Sequence, residues 1–228
     1  SKMTPQQFVH AVEHALMPLA DEAKAQGMKA YLLNQFEFLG LAAPVRRAAV
    51  KEIGKVKWQS SAELLATAEL LWQKPEREYR YTAVDLLRQH SAQLSVNELP
   101  AFQALLLQDA WWETVDGLSA VIADVMHAAV LQNPNAAIVM DVWLKHPSHW
   151  VRRSAMLHQL GWRLDTDTTS LFGYATQLAD EKEFFIRKAI GWALRDYARW
   201  NPQAVTNFLV KHRNTLSGLT VREAAKHL

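Results

Sequence analysis

VRRSAM, residues Val151 to Met156, decides the fold, because versions of it return along the chain. Counterparts read VRRAAV from Val45, YRYTAV from Tyr79, VDGLSA from Val115, IRKAIG from Ile186 and VREAAK from Val221. Each opens on an apolar or aromatic residue followed by one marked position, held in turn by Arg46, Arg80, Asp116, Arg152, Arg187 and Arg222. Successive marked positions lie 34, 36, 36, 35 and 35 residues apart. A fixed period of this size marks a helical solenoid, in which each unit buries its apolar face only against its neighbours. The fold expected is all-α: a curved α-solenoid of about six HEAT-like helical repeats, with residues 1–228 forming a single domain.

Local signals agree with that period. Thr4-Pro5-Gln6-Gln7 supplies an N-cap, a proline at the first helical position and a capping-box partner, and Ser60 with Glu63 and Ser95 with Glu98 repeat the box. Asn133-Pro134 and Asn201-Pro202 are further helix starts. Leu64, Leu65, Ala68, Leu71 and Trp72 make an apolar stripe at helical spacing. No alternating strand and no Asn-Gly or Asp-Gly hairpin interrupts the series, and about a dozen helices are expected.

Composition narrows the classes. With no cysteine among 228 residues, disulfides, cysteine-zinc sites and thiol catalysis are excluded. No run of about 18 apolar residues predicts a membrane span, and no basic, apolar leader opens the sequence, so a cytoplasmic protein is expected. The formal charge of +2 identifies no partner; the placement of the arginines has to do so. No phosphate-cradling glycine loop is present, so no nucleotide cofactor is expected. His10-Ala-Val-Glu13-His14 fits the H-x-x-E-H pattern of one metalloprotease class, but no other segment offers the remaining ligand. His146 and His149 are separated by Pro147 and are weaker still. No metal is expected.

Equivalent positions in a solenoid project onto one face. Five marked arginines predict a groove fitted to a phosphate backbone, because a guanidinium grips phosphate bidentately. Asp116 interrupts the row. A carboxylate there repels phosphate, which points to chemistry rather than binding. It sits in WWETVD, Trp111 to Asp116, where Trp112 and Asp116 are four residues apart and share a helix face. Trp111 lies a helical step away and reads as core, as Trp58, Trp72, Trp143, Trp150, Trp162 and Trp200 read as packing between repeats.

FEFLGLAAPVRR (residues 36–47), WWETVD, HWVRRSAML (149–157), EFFIRKAIGWALRDYARWNP (183–202) and SGLTVREAAKHL at 217–228 together resemble the AlkD-type DNA alkylation repair proteins, HEAT-like-repeat DNA glycosylases. The resemblance runs in order over nearly the whole chain. It implies a solenoid whose concave face embraces duplex DNA, and release of N3- and N7-alkylated purines by cleavage of the N-glycosidic bond. It implies that Asp116 is the essential carboxylate and that Trp112 and Trp192 are the tryptophans flanking the lesion. The family's active-site arginine falls in the pair Arg152-Arg153, where the repeat register favours Arg152. Tyr31 is matched to a tyrosine near the DNA backbone, and Arg46, Arg187 and Arg222 join the DNA-binding set. Glu113 stands where some relatives carry aspartate. The expected partner is double-stranded DNA containing alkylated bases, bound by a monomer without cofactor. The rival reading is a non-catalytic HEAT-like-repeat protein that binds DNA structures or a protein, which would need none of Asp116, Trp112 and Trp192.

Overall fold

The computed structural model describes residues 2–228; Ser1 lies outside them. The described residues form thirteen α-helices joined by short 3-10 turns. The first five are α1 (Pro5–Leu16), α2 (Glu22–Tyr31), α3 (Ala43–Val50), α4 (Ser61–Trp72) and α5 (Arg77–Gln89). Then come α6 (Leu99–Leu106), α7 (Trp112–Gln132), α8 (Ile138–Trp143) and α9 (His149–Leu157). The series closes with α10 (Thr168–Gln177), α11 (Phe184–Ala198), α12 (Pro202–Lys211) and α13 (Gly218–Ala224). A single isolated bridge between Glu37 and Glu76 is the only β pairing among the described residues. The fold is an all-α helical repeat, as the 35-residue period predicts.

Capping follows the sequence closely. Thr4 and Gln7 close a reciprocal box on α1, and Ser95 and Glu98 close another on the 3-10 turn that leads into α6. The Ser60 hydroxyl accepts from the Glu63 amide, and Asn201 accepts from Ala204 at the start of α12. Each bond satisfies an amide that has no partner inside its own helix.

The chain groups into two compact units, Ser1–Leu94 and Ser95–Leu228. In the first, α4 packs on α1 and α5, burying Leu64, Leu71 and Trp72. The segment between α2 and α3 is held by one fully buried carboxylate: Glu78 accepts from the amides of Leu39 (2.8 Å), Gly40 (2.8 Å) and Leu41 (3.1 Å). Gly40 is required there. Its φ is +96°, and a Cβ would come within 2.1 Å of the Asp21 carbonyl oxygen.

In the second unit, α7 packs on α9, and α11 packs on α9, α12 and α13. At 21 residues α7 is long and apolar enough to cross a membrane, but it buries Val115, Leu118, Val121, Ile122, Val125 and Met126 inside the unit, as the core helix of a repeat does. Bonds across the repeats reflect the period: the Ser119 hydroxyl donates to Ser154 (3.0 Å), 35 residues on, and the Trp162 indole N–H donates to the Ala123 carbonyl (3.1 Å). Gly191 lets α13 lie close against α11, since a Cβ there would meet Glu223 Cβ at 2.6 Å. Trp58, Trp72, Trp143 and Trp162 are buried as expected of packing residues. Trp200 departs from that expectation: it is exposed, with the Arg163 guanidinium 5.1 Å from its ring centroid.

Candidate active site

Helix α7 starts at Trp112, where the Thr114 hydroxyl turns back to the Trp111 carbonyl (3.2 Å). Asp116 follows one turn later, on the face that meets α9. There Arg153 grips it with a fork: Nε donates to Oδ1 at 2.9 Å and Nη2 to Oδ2 at 3.0 Å. The remaining guanidinium nitrogen, Nη1, donates to the carbonyl of Phe185 in the first turn of α11. The same guanidinium lies 5.8 Å from the Phe185 ring centroid and 5.9 Å from that of Trp192, within cation–π range. Three helices thus converge on one charge. Arg153 is the buried member, its side chain 6% exposed, while Asp116 keeps 19% of its side-chain surface open.

The repeat register favours Arg152 as the active-site arginine; the arginine paired with the Asp116 carboxylate is its neighbour, Arg153. Arg152 points to Glu181, with Nε to Oε2 at 3.0 Å and Nη2 to Oε1 at 2.6 Å, and its Nη1 donates to the carbonyls of His146 and Pro147. Adjacent residues on a helix project about 100° apart, so when α9 turns Arg153 toward α7, Arg152 faces the loop before α11.

Burial is the largest influence on the Asp116 carboxyl and pushes it above its ordinary 3.8; the Arg153 hydrogen bonds and charge pull it down, and Glu113 adds a smaller upward push. The net direction is up. The two-point grip is nonetheless that of an ionised carboxylate. Asp116 is therefore held by a single guanidinium and keeps a narrow opening to solvent.

Aromatic rings crowd one side. Trp111, Trp150 and Phe185 form a triangle with centroids 5.8, 5.2 and 4.9 Å apart, and His149 rests on Trp150 at 4.4 Å. Burial lowers the His149 imidazole below its ordinary 6.5. Trp111 and Trp150 are half-buried here rather than enclosed in a core. Phe185 and Glu181, which position the two arginines, are not anticipated by the repeat signature. Only the paired phenylalanines of EFFIRK hint at the first. Trp112 and Trp192 are both half-buried.

The other expected DNA-binding residues fall in varied surroundings. Arg46 is 3% exposed and donates to Asp85 at 2.8 Å, tying α3 to α5 instead of facing a ligand. Arg80, at another marked position, is also buried. The marked arginines thus do not form one open row; part of the row is repeat packing. Arg187 bonds its Nε to the Glu181 carbonyl (2.9 Å) and stays half-buried, whereas Arg222 is exposed. Tyr31, in the first unit, is 74% exposed. His10 and His14 share a face with ring centroids 5.7 Å apart, but Glu13 is committed to Lys74 at 2.8 Å. No cluster of three or more metal-ligating side chains occurs among the described residues.

A structure described as a "predicted DNA alkylation repair enzyme from Enterococcus faecalis" is 34% identical over 92% of this chain and 96% of that one, with a TM-score of 0.84. The crystal structure of AlkD2 from Streptococcus mutans is 18% identical over 99% of both chains, with a TM-score of 0.64, and attests the fold alone. No curated protein matches significantly. The sequence family described as DNA alkylation repair enzyme matches residues 12–228. The chain belongs to this family of AlkD-type DNA alkylation repair enzymes, built on HEAT-like helical repeats.

Proposed function

We propose that the protein is a DNA glycosylase that excises cationic N3- and N7-alkylated purines from duplex DNA, with residues 1–228 acting as one domain. The observation that carries this reading is the partly open Asp116 carboxylate, held by Arg153 beside Trp192.

An N3- or N7-alkylated purine already bears a positive charge, so it departs without added acid. As the bond from C1′ to the ring nitrogen breaks, its electron pair passes to the base, which leaves neutral. Positive charge grows on the sugar as an oxocarbenium-like species, as in glycoside hydrolysis generally. A fixed carboxylate near C1′ stabilises that charge, and its preorganisation by the Arg153 fork spares the reorganisation that water would require. Water then adds at C1′ and loses a proton, leaving an abasic site. Asp116 is the catalytic residue, and Arg153 is a positioning residue that acts through it. Trp112 and Trp192 flank the lesion, where indole faces favour a cationic base over a neutral one. Tyr31, Arg187 and Arg222 are proposed to contact the DNA backbone, whereas Arg152, taken up by Glu181 and two carbonyls, is proposed to contribute little to that contact. Arg46, buried against Asp85, is proposed to act by holding its helix in place.

The test is incubation with a duplex carrying one 7-methylguanine. Release of free base with formation of an abasic site is expected. Tight binding with neither product would leave a DNA-binding protein without excision.

A further inference from the structure

Beyond Trp192, one face of α11 carries Arg195 and Asp196, and Arg199 at its C-cap continues that face, at helical spacings of three, four and seven residues. Together with Lys226 and His227, which follow α13, these residues line an open cleft of about 610 Å³ with Trp192 at its edge. The wall is fixed. Gly191 lets α13 approach, and Glu223 on α13 binds both Lys188 (2.9 Å) and Arg195 (3.0 Å). Those cations, Lys188 first, hold the Glu223 carboxyl below its usual range. Asp196 turns one oxygen to the Gly161 amide at 3.0 Å. Arg199 forms no ion pair among the described residues and is exposed, as is Lys226. The cleft itself is lined by three cations, Arg195, Arg199 and Lys226, and one carboxylate, Asp196; Arg195 is paired with Glu223, so Arg199 and Lys226 supply the positive charge open to an outside anion.

We infer that this cleft binds a backbone phosphodiester of the damaged duplex to one side of the lesion, through Arg199 and Lys226. The inference rests on the proposed excision chemistry for the position of the lesion beside Trp192. At about 1.5 Å per residue, Arg199 lies roughly 10 Å along α11 from Trp192. With about 3.4 Å of duplex axis per nucleotide of one strand, that distance corresponds to a phosphate some two to three nucleotides away. An arginine and a lysine on a rigid, shallow wall suit a phosphodiester, which needs charge and donors but no enclosing pocket.

The experiment compares the full chain with its Arg199→Ala/Lys226→Ala variant on duplexes carrying 7-methylguanine. Single methylphosphonates neutralise one phosphate at a time. The unmodified protein is expected to lose affinity when a phosphate two to three nucleotides from the lesion on one strand is neutralised, and the variant to be indifferent to that change. The slope of log affinity against log salt should become shallower by up to about two in the variant. Single-turnover release at saturating protein should stay within about threefold, separating binding from chemistry. A variant with the parent slope and the parent response to every methylphosphonate overturns the inference, even if excision proceeds. If the parent releases no base yet the slope and methylphosphonate responses change as expected on the same duplexes, the glycosylase reading falls and the phosphate site stands.

Discussion

VRRAAV in the first unit and VRRSAM in the second carry the same pair of adjacent arginines, yet the two helices bury opposite members. In α3 the first arginine, Arg46, is enclosed, while Arg47 is 62% exposed; both reach Asp85 on α5. In α9 the second, Arg153, is enclosed on Asp116, while Arg152 goes to Glu181. The electrostatics diverge in step. Burial pushes both carboxyls up. Asp85 has two guanidinium partners that outweigh the burial and hold it below its ordinary value. Asp116 has one, with Glu113 nearby, and ends above. A doubly paired carboxylate is a clamp. A singly paired one, edged by Phe185 and Trp192 through its arginine, suits the role proposed for Asp116.

The strongest way to break that contrast is Asp116→Asn, which keeps the shape and removes the charge. Loss of one preorganised electrostatic group costs about 3–4 kcal/mol of barrier, or roughly two to three orders of magnitude in single-turnover release of 7-methylguanine. Affinity for undamaged duplex should hold or rise, since a charge that repels phosphate is gone. Release at the parent rate would make Asp116 a clamp like Asp85.

Asp85→Asn shares with Asp116→Asn the loss of a buried guanidinium's counter-charge, since Arg153 is nearly as enclosed as Arg46, and should differ from it in excision. It leaves Arg46 buried without its counter-charge, and removing one partner of a buried pair costs about 3 kcal/mol or more. Denaturant melts should register that loss, while excision per folded molecule stays at the parent rate. Slowed excision at unchanged stability would erase the distinction between the two carboxylates.

Acid should separate them by sign. The proposed mechanism needs Asp116 ionised, so the acid limb of the excision rate should lie above 3.8, where its carboxyl has been pushed. Because its folded value is raised, its effect on stability is unfavourable above that value and is relieved as pH falls toward 3.8. Asp85 is lowered, so its stabilisation is complete above 3.8 and is lost only as pH falls through its folded value. A pH–rate profile and parallel melts of the Asp116→Asn and Asp85→Asn variants test both. An excision limb below 3.8 would contradict the singly paired state.

The smallest effect is expected from Arg152→Ala. With its guanidinium taken up by Glu181 and two carbonyls, Arg152 has limited capacity for phosphate. Its removal should lower the melting temperature by a few degrees and change the salt slope for undamaged duplex by less than one. A full unit of slope would show that the Glu181 pair opens to let the arginine reach DNA.

The sequence by itself determined the helices, their period and the position of the one odd carboxylate. Caps such as Thr4 with Gln7 act within a few residues, and the repeat records the same packing demand six times over. Asp116 could be read because it replaces arginine at a marked position, a difference of type that needs no coordinates. Only the tertiary structure decided what each arginine does. Arg152 and Arg153 are equal in composition and adjacent in sequence, and the rotation of α9 on α7 and α11 selects between them. That rotation is set by groups more than thirty residues away: the Ser119 hydroxyl bonded to Ser154, and the Phe185 backbone carbonyl receiving Arg153. The same long-range packing buried Arg46 and Arg80 and gathered Trp111, Trp150 and Phe185 beside the site. Helix periodicity gives the angle between neighbouring residues, about 100°, but the direction of zero is fixed only when the helix packs.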